Sequence, residues 1–317
     1  MLRELRHAVT AGARDLALRL SPMMSERAAD RVAPLIARLG PHLPVLARQV
    51  ADNMRSAGVY SRQAHRDYFA WLGEHFAGAL QVLRCAARES QSPSPSFMRM
   101  AHERIGLDAS ADRLRDCLAE GCGAIVMSPH INNYFMNSAR LNEHVPLTAY
   151  MRWVNDPRRQ AAKELWYRAS GASFISEPPD AGGPLGRMKR MAEVVQSGRV
   201  LLVLVDLTQK REDGVPVRFF DREVYLPGGT AVLALRTGAP LFIMTARCEA
   251  GRQVVELTGP IRAERAGRDR QQAAREIMQA FADRFATMLA EYPGLWYLWG
   301  DKRWTRTFRG DQRYVKT

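Results

Sequence analysis

The sequence predicts an α/β fold with a mixed, largely parallel central sheet, flanked by helices and preceded by an N-terminal helical layer. After residue 97, short apolar runs alternate with amphipathic segments, which is typical of strands joined by crossover helices. Before that position, apolar residues recur at helical spacing. The hydrophobic fraction of 46% and the charged fraction of 25% exclude a fibrous or wholly disordered chain.

Three amphipathic stretches predict helices in the N-terminal region, at 1–20, 28–39 and 63–83. The Ser/Pro-rich segment Ser90–Ser96 predicts a boundary that divides the chain into regions 1–96 and 97–317. Two interpretations of the first region are open. It is either a helical layer whose charges face water, or a membrane-facing layer whose arginines contact anionic head groups.

The α/β region is predicted from alternating strand and helix signals. Its strongest strand signal is Arg199–Leu207, where seven apolar residues surround Asp206. The predicted strands are 123–130, 147–152, 172–176, 199–207, 240–248 and 253–259. The predicted helices are 111–119, 157–170, 186–196, 230–237 and 271–292. In such sheets the chemistry lies beyond the carboxyl ends of the strands.

The chain of 317 residues has a net charge of +13, which predicts an anionic partner. No apolar stretch is long enough to span a membrane and no signal peptide is recognisable, so we expect a cytoplasmic protein with only peripheral membrane contact. The four scattered cysteines and the absence of a His cluster argue against disulfides, zinc or any other metal. The sequence contains no dinucleotide fingerprint, P-loop, esterase elbow or nucleic-acid-reading motif.

The segment Ser128–Tyr134 is the sharpest local feature. His130 follows a buried apolar run and stands in a loop with Asn132 and Asn133. An imidazole there can take a proton from a substrate hydroxyl near neutral pH. A lone loop histidine is, however, more often structural than catalytic.

A second feature is the segment Val205–Ala239. A strand ends near Asp206, a basic loop follows that contains Arg218, and Gly228 and Gly229 precede a helix. The N–H groups at the start of that helix, with Arg218, are suited to hold a phosphate or an oxyanion.

The C-terminal segment Pro293–Trp304 contains three tryptophans among basic residues. Two interpretations are open: tryptophans at a membrane–water interface, or ordinary packing of a C-terminal tail.

Taken in order, these segments resemble the bacterial lipid A biosynthesis acyltransferase family, including its relatives that acylate phosphatidylinositol mannosides, within the wider lysophospholipid acyltransferase group. In this family a histidine motif is usually His-Phe-Gly-Asn-Trp followed by an acid, and His130–Tyr134 is similar to it. The matching blocks are 50–58 with Phe69 and 72–75, then 130–134, 150–155 with 167–172, 206–239 and 296–304.

The resemblance implies a glycerolipid-acyltransferase-like fold and transfer of an acyl group without a cofactor. His130 would be the general base that activates an acceptor hydroxyl or amine toward an acyl thioester of acyl carrier protein or CoA. Arg218 or a backbone N–H would stabilise the oxyanion. Arg152, Arg168, Asn132 and the two glycines would bind substrate. The acceptor would be a lipid or glycolipid at the cytoplasmic face of the bacterial inner membrane, whose anionic surface suits the basic chain.

One departure from the family concerns the acid that orients the imidazole. The family places it five residues after the histidine, where this chain has Phe135. Asp206 or, less favourably, Glu177 could replace it, or a side-chain carbonyl of Asn132 or Asn133 could accept the imidazole N–H. The remaining explanation is a catalytically weak protein.

Three functions are therefore open. The leading one is acyl transfer to an envelope lipid. The same chemistry could instead acylate a specialised metabolite of polyketide or aryl-polyene type. The last is a non-catalytic protein that binds an acyl chain or lipid on the same scaffold.

Overall fold

A computed structural model describes residues 20–316, apart from 90, 177, 179–181 and 263–268. The first predicted amphipathic stretch therefore lies almost wholly outside the described residues. The next two stretches are helical. The N-terminal helices are α1 (Glu26–Asp30), α2 (Val32–Leu39), α3 (Pro44–Ser56), α4 (Arg62–Arg88) and α5 (Pro95–Arg104).

The α/β region contains a seven-stranded sheet and the helices that connect its strands. Its strands are β1 (Ile105–Leu107), β2 (Ala124–Ser128), β3 (Leu147–Tyr150), β4 (Ser173–Ile175), β5 (Val200–Leu204), β8 (Leu241–Glu249) and β9 (Arg252–Ile261). Its helices are α6 (Ser110–Ala119), α7 (Tyr134–Asn142), α8 (Pro157–Ser170), α9 (Gly183–Gln196), α10 (Gly229–Thr237) and α11 (Arg270–Glu291). The strand order is β1-β9-β8-β2-β5-β3-β4, and all neighbours are parallel except β8 and β9. The predicted mixed, largely parallel α/β fold is confirmed.

A smaller antiparallel sheet lies where the sequence predicted a basic loop. It consists of β6 (Val215–Phe219), β7 (Arg222–Leu226) and β10 (Val315–Lys316). The turn between β6 and β7 uses Phe220 with φ 52° instead of a glycine, so the usual hairpin signal is missing. Helix α12 (Lys302–Phe308) and two 3-10 turns, Pro293–Leu295 and Tyr297–Gly300, complete the C-terminal segment.

Alternating side chains of the central strands fill hydrophobic layers on both faces of the sheet. Ile125 and Met127 belong to one layer, with residues of α3, α11 and the C-terminal segment. Val126 belongs to the other layer, with residues of α5, α6 and α7. Helix α4 contributes to both layers, so it spans the structure close to the carboxyl end of β2.

Candidate active site

His130 and Asp206 meet at the carboxyl ends of two neighbouring parallel strands. Strands β2 and β5 pair in register with Ser128 opposite Leu204, and each of the two side chains follows two residues later. The Val205 N–H donates to the Ser128 carbonyl oxygen at 3.0 Å, which continues the pairing up to the site. The local fold therefore brings together two residues that are 76 positions apart.

The carboxylate of Asp206 is fully buried and accepts three hydrogen bonds. Its Oδ1 lies 2.5 Å from Nδ1 of His130. Its Oδ2 accepts from the backbone N–H of His130 at 2.7 Å and from the indole N–H of Trp296 at 2.8 Å. Such a set of donors compensates the burial of a charged carboxylate and fixes its orientation.

Tryptophans hold the aspartate from the side of the protein core. Besides the Trp296 bond, the indole N–H of Trp304 donates to the backbone oxygen of Asp206 at 2.8 Å. Trp299 donates to the Pro293 carbonyl oxygen. All three tryptophans are buried, so the interpretation of these residues as a membrane-interface belt is wrong. They form an aromatic cluster with Phe219, Phe285 and Phe308.

The contact with Asp206 determines which nitrogen of His130 carries the proton. A carboxylate can only accept, so Nδ1 is the protonated nitrogen and Nε2 carries the free lone pair. Nε2 has no hydrogen-bond partner among the described residues, and the side chain of His130 retains 17% of its surface exposed. The edge of Tyr134 packs against the imidazole with a centroid distance of 5.8 Å. This arrangement leaves a basic nitrogen available for a substrate proton.

The loop after His130 is fixed by the segment before Trp299. Ile131 forms an isolated antiparallel bridge with Trp296, and the His130 carbonyl accepts from the Tyr297 N–H at 3.0 Å. The side-chain amide of Asn132 donates to the carbonyls of Gly294 and Leu295 at 3.3 and 3.1 Å. The side-chain hydrogen bonds of Asn132 that the structure describes therefore maintain the loop and do not involve His130.

Asn133 and His75 form the other support of this loop. Asn133 has a left-handed φ of 56° at the start of α7, and its backbone N–H donates to Nδ1 of His75 at 3.0 Å. Burial, and secondarily the nearby His130, lowers the pKa of His75 to about 3, so this imidazole is neutral at physiological pH. The Oδ1 atom of Asn133 is buried, has no hydrogen-bond partner among the residues that the structure describes, and faces Gly78 of α4.

The structure favours Asp206 among the possible replacements for the missing acid. Phe135 is 1% exposed, stacks on Trp166 with centroids 5.6 Å apart and lies within the hydrophobic layer of α7. The amides of Asn132 and Asn133 are directed elsewhere. Glu177 lies outside the described residues.

A cationic group stands beside the site at the carboxyl end of β3. Lys163 donates to the Arg152 carbonyl oxygen at 2.8 Å. Burial, assisted by the charges of Arg159 and Arg152, lowers the pKa of Lys163 to about 8. Arg159 also acts electrostatically on Tyr297, whose ring lies 4.7 Å from that of His75. Arg152 thus follows the carboxyl end of β3, on the same side of the sheet as His130. The two cations beside it, Arg159 and Lys163, were not among the predicted site residues.

The other predicted substrate-binding residues are dispersed. Arg168 lies near the end of α8, which leads to the amino-terminal end of β4 and so away from His130. Its guanidinium lies 3.9 Å from the carboxylate of Glu164. The side chain of Arg218 is 79% exposed and lies 3.8 Å from Asp221, while its backbone bonds Gln279 of α11. Neither arginine is brought to His130.

Gly228 and Gly229 begin α10. Because α10 ends just before the first residue of β8, its first turn lies on the side of the sheet where the parallel strands have their carboxyl ends. A Cβ at Gly228 would lie 2.3 Å from Val215, whereas Gly229 has open space. Gly228 is therefore required for close packing on β6, and Gly229 leaves the helix start accessible.

Comparisons with known proteins identify the family. The family description "Bacterial lipid A biosynthesis acyltransferase" matches residues 93–306, which is more than half of the chain. The chain belongs to this family. The match includes both His130 and Asp206 as well as the buried tryptophans.

Phosphatidylinositol mannoside acyltransferases are among the similar proteins. The protein of Mycolicibacterium smegmatis is 30% identical over 210 residues, which cover 63% of this chain and 64% of the relative. Those of two Mycobacterium tuberculosis strains are 27% identical over 240 residues, covering 72% of each chain. The chain therefore matches less than two thirds of the M. smegmatis relative.

The described helices include none that is both long and apolar enough to cross a membrane. Over the same residues, no group of three or more His, Cys, Asp or Glu side chains has an arrangement that could hold a metal ion.

Proposed function

We propose that this protein transfers a fatty acyl group from an acyl thioester to a hydroxyl or amine of a lipid or glycolipid acceptor. The observation that carries the proposal is the His130–Asp206 pair, at the carboxyl ends of the strands, in which Nε2 of the imidazole has no partner within the described part of the chain. The chain also belongs to an acyltransferase family, which independently supports acyl transfer as the reaction.

In the proposed reaction, Nε2 of His130 removes the proton from the acceptor hydroxyl as its oxygen attacks the thioester carbonyl carbon. A carbon–oxygen bond forms and the carbonyl oxygen becomes an oxyanion. The intermediate collapses, the carbon–sulfur bond breaks, and the imidazolium returns its proton to the leaving thiolate. Asp206 stabilises the positive imidazolium between these steps. No acyl-enzyme intermediate is required.

The acyl donor is proposed to be a thioester of acyl carrier protein or CoA. Both donors carry phosphate, and acyl carrier proteins are acidic, which suits the net charge of +13. The cationic group of Arg152, Arg159 and Lys163, at the carboxyl end of β3, is proposed to bind a phosphate of the donor. The acceptor is proposed to reach the site from the cytoplasmic face of the bacterial inner membrane.

The test uses purified protein, acyl-CoA and acyl carrier protein donors, and a panel of lysolipid and glycolipid acceptors. We expect acceptor-dependent release of thiol by the wild type and loss of about 10³-fold or more in the His130→Ala variant. Equal turnover by the two proteins would contradict the proposed base. Bound acyl chain without turnover in the wild type would instead identify a non-catalytic binding protein.

A further inference from the structure

Exposed apolar side chains are concentrated in one short part of the described chain. Of the ten large hydrophobic residues that are exposed within the described ranges, six lie between residues 20 and 45. They are Leu20, Met23, Leu35, Leu39, Leu43 and Val45, with exposed fractions of 45–79%. Exposed apolar side chains that gather on a protein surface mark interaction sites.

Helix α2 carries two of these residues, Leu35 and Leu39, and its exposed face is also basic. Leu35 follows Arg31 by one helical turn and precedes Arg38 by three residues, so the three side chains lie on one stripe of the helix. All three are exposed. A helix that presents leucines and arginines together to solvent is suited to the boundary between hydrocarbon and anionic head groups.

A pocket of about 630 Å³ opens beside this face, between the end of α2 and the start of α4. Its walls include Ala37, Pro41 and Ala70. The polar and charged residues that line it are Arg38, His42, Arg62, Gln63, His65, Arg66 and Asp67.

The charge of the pocket is positive and partly uncompensated. Asp67 is its single acidic residue, against three arginines. Arg38 and Arg62 have no carboxylate within 4 Å among the residues that the structure describes. Arg66 and the Asp67 carboxylate both bond the side chain of Gln63, at 2.7 Å each. Two guanidinium groups are therefore available to an anion.

Close backbone packing fixes the two sides of the pocket relative to each other. A Cβ at Gly40 would lie 2.2 Å from the ring of Phe69, and a Cβ at Gly73 would lie 2.4 Å from the Ala33 carbonyl oxygen. Helix α2 therefore sits directly on α4 with little freedom to shift. The backbone segments that frame the pocket are therefore held in fixed relative positions.

We infer that this pocket binds the phosphate of an anionic bilayer phospholipid, while Leu35, Leu39 and Leu43 enter the outer part of the hydrocarbon layer. A phosphate suits the fork of donors on a guanidinium. The adjoining leucines favour a lipid as the occupant over a soluble phosphate, because a soluble anion leaves them in water. The inference rests on the proposed peripheral location of the protein, but not on the chemistry of His130.

The experiment measures sedimentation of the full chain with phosphatidylcholine vesicles, with and without about one third phosphatidylglycerol, at low and high salt. The pocket variant is Arg38→Gln with Arg62→Gln. The matched control is Arg113→Gln with Arg270→Gln, which removes the same charge from exposed positions of α6 and α11. Thioester transfer to a detergent-solubilised acceptor is measured for each protein.

We expect the pocket variant to bind phosphatidylglycerol vesicles about 30-fold more weakly at low salt, and the control less than about twofold more weakly. The transfer rate in detergent should be unchanged in both. Equal vesicle binding by the pocket variant and the control overturns the inference, as does an increased KM of the pocket variant for acyl-CoA. Absence of transfer by the wild type would overturn the proposed function and leave the vesicle result to decide the inference.

Discussion

Nδ1 of His130 lies 2.5 Å from Oδ1 of the fully buried Asp206. The two residues belong to loops that follow neighbouring parallel strands, so the pairing of β2 with β5 sets their relative position. Because the same carboxylate also accepts from the His130 backbone N–H, it fixes both the ring and the loop that carries it. This contact supports the proposal that His130 and Asp206 act together in catalysis, which kinetic measurements on variants can test.

Replacing Asp206 by Asn should abolish most of the activity. The amide retains the shape of the carboxylate, but it no longer holds the proton on Nδ1 or stabilises an imidazolium. We expect kcat to fall by about 10⁴-fold, while the thermal unfolding transition remains cooperative. The control is Asp213→Asn, which changes an exposed carboxylate after the same strand and should leave kcat unchanged. A fall in kcat of less than about tenfold in folded D206N protein would contradict the assigned role.

An acid at position 135, where the resemblance places one, should not increase activity. Phe135→Glu places a carboxylate in the layer between His75 and Trp166. We expect a loss of about 3–5 kcal/mol in the free energy of unfolding, measured with urea, because an aromatic contact is lost and a charge is buried. The double variant with Asp206→Asn should be no more active than D206N alone. A gain in kcat on adding the glutamate would show that the position can still serve His130.

Stability should decrease as the pH falls because His75 must charge on unfolding. Its pKa is about 3 in the folded protein and has an ordinary value of 6.5, so the unfolded state binds more protons between these values. The stabilising effect is complete above about pH 6.5 and is lost as the pH falls toward 3. We expect this residue to contribute a loss of about 2 kcal/mol between pH 7 and pH 5.

The control for this prediction is His75→Asn, whose side-chain oxygen can still accept from the Asn133 N–H but does not titrate. Urea unfolding at the two pH values should show a smaller decrease for H75N than for the wild type. Identical decreases would mean that other groups carry the pH dependence.

The tryptophan contacts to Asp206 should have separable effects. Trp296→Phe removes the N–H that bonds the carboxylate, whereas Trp299→Phe removes one that bonds the Pro293 carbonyl. We expect both variants to lose about 1–3 kcal/mol of stability, but only W296F to lose about tenfold in kcat. Urea unfolding and steady-state kinetics of the two proteins provide the measurement. Similar values of kcat would show that the Trp296 bond is structural only.

Binding of a phosphate-bearing donor should weaken above pH 8 if Lys163 contributes to it. The pKa of about 8 means that the ammonium loses its charge as the pH rises through this value. We expect the KM for acyl-CoA to rise up to about tenfold between pH 7 and pH 9 in the wild type. Lys163→Met should show a high KM that is independent of pH over this range. A rise of the same size in K163M would assign the effect to another group.

Strong local patterns made the central sheet predictable. The apolar run of β5, the Pro157 start of α8 and the long amphipathic α11 have their predicted positions to within a few residues. The hairpin of β6 and β7 was missed because its turn contains Phe220 and Asp221 instead of Gly or Asn, and its strands carry Arg and Glu among the apolar residues.

The site was predictable where it follows directly from a strand, as His130 and Asp206 do. It was not predictable where distant segments supply support. His75 lies in a helix 58 positions before its partner Asn133, and the indoles of Trp296 and Trp304 reach Asp206 from about 90 positions away. Arg168 was assigned through a family block, and Arg218 through the basic loop before Gly228. Arg168 lies near the end of α8, and the side chain of Arg218 is 79% exposed beside Asp221.

The carboxylate that serves His130 comes from a different strand, and this has a bearing on how relatives are recognised. A genome survey that requires an acid at a set distance behind the histidine would discard this chain as degenerate. A criterion built on three-dimensional proximity, namely an acidic residue closing the adjacent strand and an indole donor behind it, would retain it. Sequences set aside for lacking the linear signature merit re-inspection with that spatial rule.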